Sequence, residues 1–397
     1  MSDSSPTGDD PFGAMPFLGD LVRMLQGQGP VHWDAARQLA HTVAAEGDST
    51  DNVDPALRFQ VQEIARLAEL HVQQITGLTA TVGGRPVEVV PVNRTTWVAR
   101  TLDAYRPLFE RLAGSLASAP APSDEDSDVP VPAELALVGE LAKLVTPSML
   151  GVAIGSMIGH LARRSFGPYD LPIPRPGERE LLLLPATVGA VAEEWSLPRD
   201  ELLLWVCLHQ LTTQAVFGVA HVSDELTSLL QEHAGGFRPD PRSLADRMGE
   251  LDVEDPASGL ADLQRVFGDP EVLLGAVRSP EQEALRPRLD ALIAVITGYV
   301  DHTVDEAAAN VTSSGAQLGE VARRRRIELG GGERLLERLL GVHLTLEQVA
   351  RGRSFVGGVV ERAGANGLAR LWESPTTLPT PAEVDAPGLW LARLEYE

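Results

Sequence analysis

The sequence is poor in cysteine: Cys207 is the only one among 397 residues. That excludes an intrachain disulfide and any metal cluster built from several thiolates. Cys207 lies in an apolar stretch where nothing sequence-local marks it as activated, so it is expected to be a buried structural thiol. Basic residues are scarce as well, 33 against 56 acidic ones, for a formal net charge of −23. A phosphate-binding surface needs a surplus of Lys and Arg, so nucleic acid is excluded as an expected partner.

Long apolar runs are missing too. The stretch LVTPSMLGVAIGSMIGHLA at 144 to 162 is interrupted by Pro147 near its start and His160 near its end, leaving about ten uninterrupted apolar residues. A membrane span needs about 20. The stretch therefore reads as a buried helix whose Gly151, Gly155 and Gly159 let a neighbour pack closely, and no membrane partner is expected. The start, MSDSSPTGDDPFG, is acidic and polar without a charged-then-apolar signal pattern, which points to the cytoplasm.

What is present is enough apolar sequence, 44%, to build a large core. At this length two packed lobes or two domains are expected. Residues 1 to 16 read as a disordered tail and 17 to 116 as an N-terminal helical region. Residues 117 to 134, ASAPAPSDEDSDVPVPAE, read as an acidic, Pro-rich linker or loop, and 135 to 397 as the main region. Helical periodicity is clearest at 54 to 76, where Leu57, Val61, Ile64, Ala65, Ala68, Val72 and Ile75 share one face behind Asp54 and Pro55.

Further along, Gly83-Gly84 and RPVEVVPV at 85 to 92 predict a turn and a short extended piece, followed by a helix from Arg94 to about Ser115. ELLLLP at 180 to 185 predicts a short buried or edge strand. Ser196, Pro198, Asp200 and Glu201 predict a helix start. A long helix is expected from Pro280 to about Asn310, with breaks before it at GGFRPDP, Asp255-Pro256 and Asp269-Pro270. The Arg323 to Arg326 run points around a whole helix turn. It reads as a solvated face pairing with the protein's own carboxylates, not as a phosphate site.

The stretch that carries chemistry is WVCLHQLTTQAVF at 205 to 217. In H-E-x-x-H, two histidines four apart share a helix face and bind zinc, while the glutamate between them is the general base. Here the same five positions are His209, Gln210, Leu211, Thr212 and Thr213.

Several segments together resemble an actinobacterial zincin-like family of zinc-dependent metalloproteases. They are VVPVNRTTWVARTLDAYRPLFERL at 89 to 112, MLGVAIGSMIGHLARRSFGPYDLPIP at 149 to 174, LLLLPATV at 181 to 188 and LLLWVCLHQLTTQAVF at 202 to 217. IAVITGYVDHTVD at 293 to 305 and the stretch from Arg323 to Pro379 continue the match. The resemblance implies a mainly α fold (α+β with a small strand component), with two helical lobes around a cleft and the active-site helix at 198 to 218. The strand near 181 to 185 is expected beside that cleft.

Carried over position by position, the resemblance puts the first zinc ligand at His209, the base at Gln210 and the second ligand at Thr213. The later glutamate, which precedes a glycine, falls at Thr297. Three of the four positions are changed. A glutamine has no charge near neutral pH with which to accept a proton, and a hydroxyl is a poor zinc ligand beside imidazole. The expectation is a degenerate zincin that has lost zinc and peptidase activity and serves as a binding or scaffold protein for an unknown peptide or protein. No cofactor is expected, zinc being the family's. A working metallohydrolase with a non-standard site is the alternative, with Asp301 and His302 as substitute ligands and Asp305 one turn on. A plain helical interaction protein is a third reading. His221 and His233 are expected to be structural histidines.

Overall fold

The computed structural model describes residues 29–46, 52–117, 133–239, 276–277 and 279–396. The expected tail at 1 to 16, nearly all of the linker at 117 to 134, and the breaks at Asp255-Pro256 and Asp269-Pro270 lie outside the described residues. Helix makes up 76% and strand 4%, so the chain is mainly α with a small strand component.

The chain enters through α1 (Trp33–Ala45) and α2 (Pro55–Thr76). Asp54 caps α2 by accepting the Ala56 N–H at 2.8 Å, and Gly77, at φ 68, supplies the left-handed residue that ends it. Val61, Ala65, Ala68 and Val72 are buried, while Leu57, Ile64 and Ile75 flank the core from partly exposed positions. The Gly83-Gly84 turn joins β1 (Thr81–Val82) to β2 (Arg85–Pro86) as an antiparallel pair. Next come β3 (Glu88–Pro91) and α3 (Arg94–Ala117).

Pro147 does not break the next helix, α4 (Ala133–Arg164), which runs through it. Its carbonyl accepts the His32 N–H at 2.9 Å and ties the start of α1 to α4. The two helices touch through the glycines singled out in the sequence. A Cβ at Gly151 would lie 2.4 Å from the His32 carbonyl oxygen, and one at Gly155 would lie 2.4 Å from that of Ala36.

The four-leucine run forms β4 (Glu180–Leu183), parallel to β3 in the register Glu88 to Glu180 through Pro91 to Leu183. After α5 (Pro185–Glu194) comes α6 (Arg199–Phe217), buried at every residue from Leu202 to Phe217. A helix without a wet face belongs at the centre of a fold, and α6 packs against α2, α5, α7 (Ala220–Gly235) and α8 (Pro280–Val311). At the exposed end of α6, Glu201 accepts hydrogen bonds from the backbone N–H and hydroxyl groups of Ser313 and Ser314. Those serines immediately precede α9 (Gly315–Ile327). The end of α8 and the start of α9 are thereby pinned to α6.

Helices α10 (Gly331–Leu340), α11 (Leu346–Ala369), α12 (Pro381–Asp385) and α13 (Pro387–Tyr396) complete the chain. Gly330, the first of three consecutive glycines, is the N-cap of α10. One contiguous buried apolar cluster runs from Val31 to Leu394 among the described residues. No single described helix is long and apolar enough to cross a membrane.

Helices α8 and α11 meet at two glycines. A Cβ at Gly352 would sit 1.9 Å from the Ala294 carbonyl oxygen, whereas one at Gly357, on the same helix, would meet nothing within 4 Å. Gly352→Ala should therefore lose about 1–3 kcal/mol from overpacking, and Gly357→Ala should gain about 0.5–1 kcal/mol of helix propensity. Urea unfolding of the two variants checks the contrast, and the reverse order would discard this packing.

Candidate functional site

Three elements converge on His209. It lies in the second half of α6; α8 crosses beside it with Thr297 and Asp301, and α9 contributes Arg325 and Arg326. The Arg326 guanidinium grips the Asp301 carboxylate with both ends, Nη1 to Oδ2 at 3.0 Å and Nη2 to Oδ1 at 2.9 Å. The same Nη2 stands 3.3 Å from His209 Nε2. The pair is buried, with side-chain exposures of 10% and 3%. Trp205, one turn earlier on α6, stacks on the imidazole at 5.4 Å and 18°.

The electrostatics follow from that arrangement. Burial, together with the Arg326 charge, holds the His209 pKa down to about 3 from its ordinary 6.5, against the opposing pull of Asp301. Neutral His209 can then accept a hydrogen bond on Nε2. Burial raises the Asp301 carboxyl, but the charge and hydrogen bonds of Arg326 outweigh it, and the net direction is downward. A buried carboxylate and a bidentate guanidinium satisfy each other's charge and geometry.

Gln210 is committed elsewhere. Its Oε1 accepts the Tyr169 N–H at 2.8 Å, and its Nε2 donates to Asp170 Oδ1 at 3.0 Å. Asp170 also accepts the N–H groups of Phe166 and Gly167, at 2.8 and 3.2 Å. An amide suits this position because it accepts at one end and donates at the other. A glutamate there would oppose two carboxyl groups. Gly167 packs directly on this amide, since a Cβ there would lie 2.7 Å from Gln210 Cδ. The Phe166 carbonyl in turn accepts the Leu184 N–H at 2.8 Å, which links the segment to the end of β4.

Thr213 Oγ1 donates to the His209 carbonyl at 2.9 Å, the usual back-bond of a helical threonine. Thr297 Oγ1 is buried without a hydrogen-bond partner. His209, Thr213, Thr297 and Arg326 together line a space of only about 10 Å³. A second cavity of about 60 Å³ lies between His209, Trp205, Arg164, Arg325, Arg326 and Glu337. Ligand sites for ordinary small molecules run to roughly 300–1,000 Å³, so the expected cleft is nearly closed at its catalytic positions.

The other sequence candidates disperse. His302 faces the surface and sits 3.8 Å from Glu306, while Asp301 is taken by Arg326, so the two do not form the substitute ligand pair. Asp305 pairs with Arg323 at 3.0 Å. His233 Nε2 lies 3.2 Å from the Arg338 carbonyl, and its ring meets Phe237 edge-on at 5.4 Å. His221 stands apart from these groups on α7. Cys207 is fully buried, and burial pushes its thiol up to about 12. Among the described residues no group of three or more His, Cys, Asp or Glu side chains could hold a metal ion.

The arginine run is the main correction. Arg323 and Arg324 pair with Asp305 and Glu320 as a charged helix face should. Arg325 and Arg326 turn inward, Arg325 over the Phe166 ring at 5.1 Å and Arg326 onto Asp301 and His209. Arg326 is the site residue that the motif comparison misses. Its signal was the run itself, because four consecutive arginines on a packed helix cannot all face water.

Residues 31–391 match the family model described as zincin-like metallopeptidase. The chain belongs to that family. This zincin-like chain also superposes on a crystal structure from Chloroflexus aurantiacus, described as a candidate hydrolase with a novel fold. The TM-score is 0.59 at 22% identity, over 92% of this chain and 99% of that one, and the likeness is one of fold. No curated protein matches it significantly.

Two outcomes follow from the buried cluster. Arg326→Met strands the Asp301 charge and should cost about 3–5 kcal/mol, most of it recovered in Arg326→Met/Asp301→Leu. Unfolding free energies of the two variants check this, and an unrecovered loss would mean that Arg326 works through other contacts. The unfolded chain takes up a proton on His209 near pH 6.5, whereas the folded chain does so only near 3. The stability contributed by neutral His209 is therefore complete above pH 6.5 and is lost as pH falls from 6.5 toward 3. His209→Gln should flatten this acid limb by up to one proton in urea unfolding at pH 7, 6 and 5; an unchanged slope would place His209 in water.

Proposed function

We propose that this chain is a zincin scaffold that has lost zinc binding and peptidase activity and now acts by binding a peptide or protein partner in the cytoplasm. The observation that carries the reading is the Arg326 guanidinium 3.3 Å from His209 Nε2, the atom through which an imidazole at this helix position would reach a metal. A cation fixed there repels a second one. The remaining positions do not fit zinc either: Thr213 spends its hydroxyl on the helix backbone, and Thr297 offers a lone alcohol. Gln210, bonded to Tyr169 and Asp170, has no basic atom with which to activate water.

The competing reading, a working metallohydrolase, has the family match in its favour. Metal analysis separates the two. Chain purified without chelator should carry far less than one zinc, and general peptide substrates should show no chelator-sensitive cleavage. About one zinc per chain, or metal-dependent cleavage lost in His209→Ala, would overturn the proposal.

A further inference from the structure

The 60 Å³ cavity beside His209 has an unusual wall. Arg164, Arg325 and Arg326 line it, together with Ser165, Asp170, Trp205 and Glu337. Arg164 and Arg325 hold each other through the backbone: Arg325 Nη2 donates to the Arg164 carbonyl at 2.9 Å, and Arg164 Nη2 donates to the Arg325 carbonyl. Arg164 Nη1 donates to the Glu328 carbonyl at 2.8 Å. Among the described residues neither guanidinium forms an ion pair with a carboxylate, whereas Arg326 is neutralised by Asp301. Two fixed cations therefore face one small space with Asp170 as the carboxylate that interacts with both, in a chain whose formal net charge is −23.

Three further wall residues carry polar atoms without partners. Ser165 Oγ, Trp205 Nε1 and Glu337 Oε1 are buried and make no hydrogen bond. Ser165, Trp205 and Glu337 are exposed by only 1%, 4% and 7%. Such atoms occur elsewhere among the described residues, Trp97 Nε1 and Trp372 Nε1 for example, but three of them belong to residues that border this one space, where a polar occupant would satisfy them. Asp170 is the one opposing carboxylate, and its oxygens already accept from Phe166, Gly167 and Gln210. Burial raises the Glu337 carboxyl to about 8 against the opposing Arg164 charge, which favours its neutral form near pH 7. Burial lowers the Arg325 pKa, helped by the Arg164 charge, and the opposing pull of Asp170, Glu194 and Glu328 does not make up for it.

We propose that this cavity is a binding site for a small monocarboxylate, held by the charges of Arg164 and Arg325 and by hydrogen bonds from Trp205 and Ser165. A planar, singly charged group with two acceptor oxygens matches a guanidinium fork and an indole N–H. The volume admits roughly two to four heavy atoms, which suits formate or acetate and excludes an amino-acid side chain with its backbone. The site rests on the reading above in one respect, that Arg326 stands beside His209 and forms part of the wall.

The test is titration of the full chain with sodium formate and sodium acetate at constant ionic strength, against sodium chloride and inorganic phosphate. The Trp205 indole N–H resonance, assigned through Trp205→Phe, and the melting temperature are followed. Formate or acetate should shift that resonance saturably and raise the melting temperature. Arg325→Gln should weaken the response at least tenfold, and Ser165→Ala by several-fold if Arg325→Gln does not fold. No response, an equal response to chloride, or a preference for phosphate would overturn the carboxylate site. Zinc measured on the same sample keeps the two ideas apart: no zinc and no carboxylate response sinks only this site, whereas bound zinc sinks the reading beneath it.

Discussion

The ion pair between Arg326 and Asp301, leaning on His209, is the contact on which the centre of this protein depends. It joins α9 to α8 and both to α6, the helix that has no wet face. Isolated charges in such a position would cost far more than a small domain's stability, so each group is tolerable only because the others are in place. Glu201 reinforces the same junction at the surface by holding the Ser313-Ser314 turn between α8 and α9. A displaced α9 would break both fastenings at once.

The polar residues around that pair divide into two sets. Gln210, Asp170, Tyr169 and Gln214 form a satisfied network that rivets the 166–170 segment to α6. Arg164, Arg325, Ser165, Trp205 and Glu337 line the cavity of about 60 Å³ beside His209, and the last three carry buried polar atoms without hydrogen bonds. The first set has the character of architecture. The second leaves buried polar atoms unmatched, and these are costly to keep away from a partner.

Much of the fold was legible from residue order. Asp54 with Pro55, the apolar face of α2, the Gly83-Gly84 turn, the strand at ELLLLP and the three glycines of α4 each declare their structure through local chemistry, and the structure has them in place. Pro147 was misleading because proline's cost is local, whereas the packing of α4 on α1 draws on the whole helix. For the site, the sequence located His209, Gln210, Thr213 and Thr297, and His209, Thr213 and Thr297 do line one small space. It did not locate Arg326. A motif compares like with like along a helix, and it has no term for a cation of a different kind arriving from an element more than a hundred residues later. The alternative ligands failed for a related reason: adjacent residues on a helix point about 100° apart, so Asp301 and His302 could not both face inward.

The guanidinium beside His209 carries one further consequence. A metal ion must be acquired after synthesis, can be stripped by a chelator or exchanged for another metal, and leaves its ligands unpaired when it is absent. Arg326 is delivered by translation in fixed stoichiometry, and it cannot dissociate. A core organised around such a built-in cation has its central charge balance set by the chain itself.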